Sequence, residues 1–228
     1  MNIIYSASRN LYPYLRWSIR SLLDHNRVGM IYVLAEDDGL PFEIPCRHRI
    51  INMTGQRYFG ADCPNIRTQF TPMAMLRVCT PELIKAEKVI QLDVDTIICD
   101  SLEPLWNTDL TGKWIGWCPE LRGIYRPYGP MYYNFGVAVL NLRQMRKDMA
   151  TVQMVNMLNS EYLRFVDQDA MNILALPDKS VDIDIRFNES FCCGYTENPA
   201  IVHFAGYPDW YENRSMFRWE YLARYKDQ

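Results

Sequence analysis

The opening 35 residues constrain the fold more than any other stretch. "NIIYSA" (2–7) is a short apolar run bounded by polar residues, and reads as a buried strand. Leu11, Leu15, Ile19, Leu22 and Leu23 then recur at spacings of three and four, the period of a helix with one face in a core. "MIYVLAEDDG" (30–39) is a second strand closed by an acidic turn, and "HRIINM" (48–53) is a third. Strand, helix and strand at this separation predict a parallel βαβ unit, and with it an α/β fold.

The pattern continues in the same style and becomes more mixed. Residues 54–68 read as a loop, and a helix over 72–79 continues or restarts at 81–84. "KVIQLDVD" (88–95), "WIGWCPE" (114–120) and "YNFGVAVLNL" (133–142) read as strands, and the Tyr-, Pro- and Gly-rich segment before the last of them as an irregular loop. Helices are expected over 141–164 and 167–176, short strands at "VDIDIRF" (181–187) and "AIVHF" (200–204), and a last helix over 215–225. A chain of 228 residues can bury a full core, and one domain over 1–228 is the simplest expectation.

Composition narrows the class. A formal net charge of −3 lacks the basic surplus of a nucleic-acid binder. Seven cysteines, with none in a C-x-x-C arrangement, favour a reducing, cytoplasmic setting over a disulfide or zinc framework. The first residues do not read as a signal peptide, and no apolar run approaches the length of a membrane-spanning helix. The tail from Tyr211 carries aromatic and basic residues but is barely cationic, so an ordinary docking helix is expected and membrane attachment is not.

Three D-x-D pairs occur, and each has its own bland reading. Asp182 and Asp184 alternate with aliphatics, as on a strand with a solvated acidic face. Asp167 and Asp169 fall in a first helical turn, where the helix dipole favours them. Asp93 and Asp95 differ, because an apolar run leads into them and "TIIC" follows. Buried carboxylates need a partner, and two hard oxygen ligands at the carboxyl end of an α/β strand make a Mg²⁺ or Mn²⁺ site plausible. A phosphatase that ends its strand in D-x-D-G-T is the competitor, but here Thr96 follows Asp95 with no intervening glycine.

Taken in order along the chain, several segments resemble glycosyltransferase family 8. They are "IIYSASRNLYPYLRWSIRSLL", "MLRVCTPELI", "KVIQLDVDTIICDSLEPLW", "YYNFGVAVLNLRQMR", "DQDAMN", "RFN" at 186–188 and "IVHFAG" at 201–206. The resemblance implies a GT-A fold: a Rossmann-like, nucleotide-binding α/β domain with a mixed central sheet. Residues 1–100 would be its nucleotide half, and 101–228 its acceptor side with a C-terminal helix. It implies a retaining, metal-dependent hexosyltransferase that takes glucose or galactose from a UDP-sugar and gives it to a glycan or to a lipid- or protein-linked acceptor.

The same resemblance implies the site. Asp93, Asp95 and His203 would hold Mn²⁺, with Mg²⁺ the alternative. Ala7, Ser8, Asn10, Arg77, Leu92, Val94, Asn134, Asp167, Gln168 and Gly206 would bind the donor. Arg77, Asp167 and Gln168 would act in catalysis, Asp167 as a nucleophile or as a hydrogen-bond partner of sugar hydroxyls. A covalent intermediate and front-face attack both remain open.

The chain also departs from the family pattern. "HFAGYPDW" lacks the lysine that many members carry soon after the metal histidine, which shifts diphosphate binding onto the metal, Arg77 or another base such as Arg214. Ser8 stands where many members have an acidic residue that bonds the base, and the position usually small before Gly136 is Phe135. These departures motivate a second reading, a nucleotide-sugar or glycan-binding protein that turns over weakly. The segment 122–133 has the aromatic and basic mixture suited to an acceptor glycan, or to a loop anchored by buried tyrosines.

Overall fold

The structure is a computed structural model that describes residues 1–121, 131–206 and 209–226. β1 (Asn2–Ala7) is followed by a 3-10 turn and α1 (Tyr12–His25), which sets Leu15, Ile19 and Leu22 against the sheet. β2 (Met30–Ala35) pairs parallel with β1, and β3 (His48–Asn52) pairs parallel with β2. β4 (Lys88–Leu92) lies parallel on the other side of β1. Beyond it come β7 (Tyr133–Asn141) and β6 (Ile115–Pro119), each antiparallel to its predecessor, and then β8 (Ser180–Asp182), parallel to β6. The result is a seven-stranded mixed sheet in the order β3-β2-β1-β4-β7-β6-β8.

Because β1 is buried on both faces, its alternate residues serve two cores. Ile3 and Tyr5 join α1 and α4 (Glu103–Trp106), whereas Ile4 joins the cluster of α2 (Pro72–Leu76), α5 (Leu142–Lys147), α6 (Ala150–Ser160) and α7 (Val166–Ala175). A third cluster packs a two-stranded ribbon, β5 (Thr96–Ile98) with β9 (Ile201–His203), against α8 (Trp219–Lys226). The tail is thus a docking helix, as its composition predicts. No helix among the described residues is long and apolar enough to cross a membrane, and all seven cysteines are free thiols.

Four expected elements come out differently, each for a local reason. The strand expected over 88–95 stops at Leu92, turns over Asp93–Asp95 and re-enters as β5 in the second sheet. The helix expected over 141–164 is two helices, with Met149 in the left-handed region (φ 54°) between them. There Asp148 accepts hydrogen bonds from Trp114 Nε1 (2.6 Å) and Gln144 Nε2 (2.9 Å), which ties the turn to the sheet. "VDIDIRF" is a strand only to Asp182; Asp184 then caps a 3-10 turn by accepting from Arg186 N (2.9 Å). The last helix starts at Trp219, not Ser215, after Arg218 at φ 66°.

The segment 72–84 restarts twice. α2 gives way to a 3-10 turn at Arg77–Cys79, and α3 (Thr80–Leu83) follows with Pro81 in its first turn, where a missing N–H costs nothing. Arg77 therefore sits at a junction, not on a helix face.

Candidate functional site

One end of the sheet collects the polar residues. β1, β4 and β6 all finish there, which brings Ser8, Asp93 and Glu120 to one rim, and antiparallel β7 begins there with Asn134. Two adjoining clefts of about 320 and 260 Å³ open at this rim and share Gln69, Phe70, Arg77 and Asp93. The first is also lined by Ser8, Asn10, Val94 and Asp95. The second is lined by Glu120, Asn134, Phe165, Asp167, Gln168, Cys192, His203 and Gly206. Ala7 and Leu92 are buried strand ends outside both linings; they place Ser8 and Asp93.

Register assembles the acidic group. Thr96 pairs with His203 across β5 and β9, so the imidazole comes to lie beside the turn at 93–95. His203 Nε2 is 3.3 Å from Asp95 Oδ1 and 3.9 Å from Asp93 Oδ2. One ligand atom from each of the three residues lies within 4.8 Å of the others, a separation that one cation can bridge. His203 Nδ1 is 2.8 Å from Asn188 Oδ1. With the Nδ1 proton given to that oxygen, Nε2 faces the carboxylates, where a metal would take the place of its proton. Thr96 Oγ1 donates to Asp93 O (2.7 Å), and Asp93 N donates to Gly136 O (2.8 Å), which fixes the turn.

Gly136 makes room for this convergence. A Cβ there would stand 2.2 Å from His203 Cε1 and 2.8 Å from Asp93 Oδ2. No larger residue fits without moving a ligand.

Arg77 joins the two clefts. Its NH1 donates to Asp93 Oδ1 and its Nε to Asp167 Oδ2, while its guanidinium carbon sits 4.8 Å from the centre of the Phe135 ring. Phe135 is fully buried and packs inward beneath that cation, edge-on to Trp117, and does not line either cleft. Burial works against the charge on Arg77, but Asp167 and Asp93 outweigh it and hold the guanidinium protonated. Burial pushes the Asp167 carboxyl up to about 6 against the pull of Arg77. Asp93 is likewise raised, by burial and then by the charge of Asp95. Asp95 runs the other way: burial would raise it, yet the adjacent imidazole lowers it. His203 is raised, since the facing carboxylates of Asp95 and Asp93 overcome burial. Three acids thus face a single permanent cation, an excess of negative charge that suits a divalent ion.

Gln168 is the hub of the second cleft. Its Oε1 accepts from Phe135 N (2.9 Å) and Asn134 Nδ2 (3.4 Å), and its Nε2 donates to Tyr132 OH (3.1 Å) and Glu120 Oε1 (3.2 Å). Asn134 Oδ1 in turn accepts from Asn188 Nδ2 (3.0 Å), so the amides of the second cleft and the His203 support are one network. Asp169 is buried for a structural reason: it accepts from Tyr132 OH and from Phe165 N (2.9 Å). The helix dipole is not needed to explain it.

Arg214 is exposed and lines neither cleft. The loop expected to meet an acceptor lies outside the described residues from 122 to 130. Sequence reasoning missed Gln69, Phe70, Glu120, Phe165 and Cys192, and touched Asn188 only as the end of "RFN", with no role. Of the five missed, only Glu120 had a usable signal, the same position just past a strand's carboxyl end that marks Asp93.

Comparison with known proteins agrees with this geometry. The sequence model described as Glycosyl transferase family 8 matches residues 2–211. The chain is 26% identical to General stress protein A of Bacillus subtilis over 250 residues, covering 90% of this chain and 85% of that protein. It is 25% identical to a putative glycosyltransferase of Haemophilus influenzae over 82% of its own length and 63% of the relative's, so it spans under two thirds of that protein. Among solved structures, the galactosyltransferase LgtC with donor and acceptor sugar analogs superposes with a TM-score of 0.77. That likeness covers 100% of this chain and 95% of the other at 21% identity, and it shows the fold, GT-A, that the motifs imply.

Proposed function

The chain belongs to glycosyl transferase family 8 and is a glycosyltransferase, and from that premise we propose that it moves a hexose with retention from a UDP-sugar to a glycan or a lipid- or protein-linked acceptor. The convergence of Asp93, Asp95 and His203 at the rim of both clefts is the observation that carries this reading. These residues fit a divalent cation: the donor set is two carboxylates and an imidazole, Nε2 faces the carboxylates, and glycine occupies a position where a side chain would obstruct. Mn²⁺ is favoured over Mg²⁺ because a nitrogen ligand joins the oxygens. When bound, the ion supplies Lewis-acid stabilisation of the charge left on the departing diphosphate.

The remaining roles fall to the chain itself. Ser8, Asn10 and Val94 border the first cleft and would seat the nucleoside, with Ser8 Oγ donating to Asn10 Oδ1 (2.8 Å) to hold that edge. Arg77 is pre-positioned by Asp93 and Asp167 and offers fixed positive charge between the two clefts, where the diphosphate would cross from one to the other. Asn134 and Gln168 present amide groups to the second cleft, where sugar hydroxyls would be read. Asp167 is buried and engaged by Arg77, so orienting that cation is its role here, with hydrogen bonding to the sugar its second. On this reading residues 1–100 carry the nucleotide half and 101–228 the acceptor side of one domain, working in the cytoplasm.

A donor panel tests the proposal. UDP-glucose, UDP-galactose and other nucleotide sugars are incubated with and without Mn²⁺, with a set of acceptors, and UDP release is followed. Release that needs Mn²⁺ and stops on chelation supports it. If UDP and Mn²⁺ stabilise the fold while no donor turns over, the transferase reading fails and the binding-protein reading takes its place.

A further inference from the structure

The C-terminal tail reaches back to His203 through one ion pair. β9 is held on one side by β5 and on the other by Asn188 and Glu189. Glu189 N donates to Ile201 O (3.1 Å), and Glu189 O accepts from His203 N (2.8 Å). Asn188 Oδ1 meets the other end of the same residue, 2.8 Å from the ring at Nδ1. Two consecutive residues thus fix both the backbone and the imidazole of His203. The Glu189 side chain has no exposed surface, and its Oε1 accepts from Thr196 N (2.9 Å). Arg218 grips the carboxylate with Nε at 3.1 Å and NH2 at 3.0 Å, and its NH2 donates to Thr196 O as well (2.6 Å). Arg218 stands just before α8 at φ 66°, a backbone that persists only where its contacts over-determine it.

We propose that Arg218 is a positioning residue for the metal site: by compensating Glu189 it keeps Asn188 and Glu189 seated on β9, and so keeps His203 aimed at Asp93 and Asp95. The proposal rests on the metal-binding reading above and adds to it a residue that lines neither cleft. A buried carboxylate that loses its partner must take up a proton or move toward water. Among the described residues the one ion pair of Glu189 is with Arg218. Glu189 cannot move without drawing on its bonds to β9, and Asn188 is its chain neighbour. The plainer alternative is an ion pair that fastens the tail and does nothing more. The two differ in sign at the metal. Charge alone makes loss of Arg218 neutral or favourable for a bound cation, because one repelling charge is gone. Displacement of His203 makes the same loss unfavourable.

The test titrates Mn²⁺ into the full chain by calorimetry, well below the melting temperature of every variant. Arg218→Met should bind Mn²⁺ about tenfold more weakly, the low end of what loss of a ligand's support causes. Arg218→Lys keeps the charge but not the two-pronged grip, so it should fall between Met and wild type, and it carries the test if the Met variant does not fold. Adding Glu189→Gln to Arg218→Met removes the orphaned charge while the amide oxygen can still accept from Thr196 N, and should recover most of the affinity. Lys226→Met is the control: it removes a positive charge and a bond to Tyr211 O from the same tail without touching Glu189, and should leave Mn²⁺ binding unchanged. NMR of protein labelled with ¹⁵N in its three histidines gives a reading that needs no metal. The His203 ring signals should shift in Arg218→Met, while those of His48, on the far edge strand, stay in place. Wild-type or tighter Mn²⁺ binding in Arg218→Met and Arg218→Lys, or an equal loss in Lys226→Met, would overturn the proposal. Failure of the metal reading is distinct: the wild type would then take up no Mn²⁺ and no donor would release UDP, and an unmoved His203 signal would still refute the role of Arg218.

Discussion

Gly136→Ala separates the metal site from the fold. The added methyl would stand 2.2 Å from His203 Cε1 and 2.8 Å from both His203 Nε2 and Asp93 Oδ2. The imidazole cannot yield freely, because it is buried and held by Asn188 at 2.8 Å. Overpacking of this kind costs about 1–3 kcal/mol, and the smaller unfolded-state entropy of alanine returns about 0.4–1 kcal/mol. The net loss is then about 1–2 kcal/mol, which for a chain of this length lowers Tm by roughly 2–8 °C. Metal affinity should suffer more. Disturbing only the support of a ligand weakens binding about 10–100-fold, and here two ligands are displaced directly. Mn²⁺ titration by calorimetry, with thermal unfolding in the presence and absence of Mn²⁺, reads both effects. At a concentration 100 times the wild-type Kd, Mn²⁺ should stabilise the wild type by about 2.7 kcal/mol and the variant by at least about 1 kcal/mol less. A variant that melts early yet binds Mn²⁺ with wild-type affinity would refute the reasoning, since the clash would then be absorbed away from the ligands.

Three other substitutions probe the supports. Asn188→Ala frees His203 Nδ1 and should weaken Mn²⁺ binding about 10–100-fold with little change in the far-UV spectrum, measured by the same titration. Arg77→Met leaves Asp93 and Asp167 without their shared cation and should destabilise the chain by about 3–5 kcal/mol; adding Asp167→Leu should recover part of that loss in chemical denaturation. Arg218→Met strips buried Glu189 of its bidentate partner and should cost about 3 kcal/mol, with protease cutting first within 209–226 as the tail loosens.

Periodicity was enough for the frame but not for its breaks. The alternating and continuous apolar runs of β1, β2, β4 and β7 reach the core as read, because burial of such runs dominates local preference. The breaks depend on single polar contacts that no period encodes. Asp148 ends α5 because Trp114, 34 residues earlier, lies within reach of its carboxylate, and nothing near residue 148 announces that. The small size expected before Gly136 is also a long-range matter: Phe135 is tolerated because its ring turns inward under Arg77, away from both clefts.

The site divides along the same line. Asp93 and Asp95 were conspicuous because charge interrupts an apolar run, whereas His203 is ordinary in "AIVHF" and gains meaning only through its register with Thr96. Asn188 was legible only as the end of "RFN", with no role attached to it, yet it bonds His203 Nδ1 at 2.8 Å and Asn134 at 3.0 Å. It therefore joins the Asp93, Asp95 and His203 cluster to the amides of the second cleft. A cation held at His203 Nε2 would strengthen the donation from Nδ1 to Asn188, whose Nδ2 donates to Asn134 beside Gln168. Under the proposed function, metal occupancy and the geometry of the Asn134 and Gln168 amides are linked through one buried side chain, and a change at either end should be felt at the other.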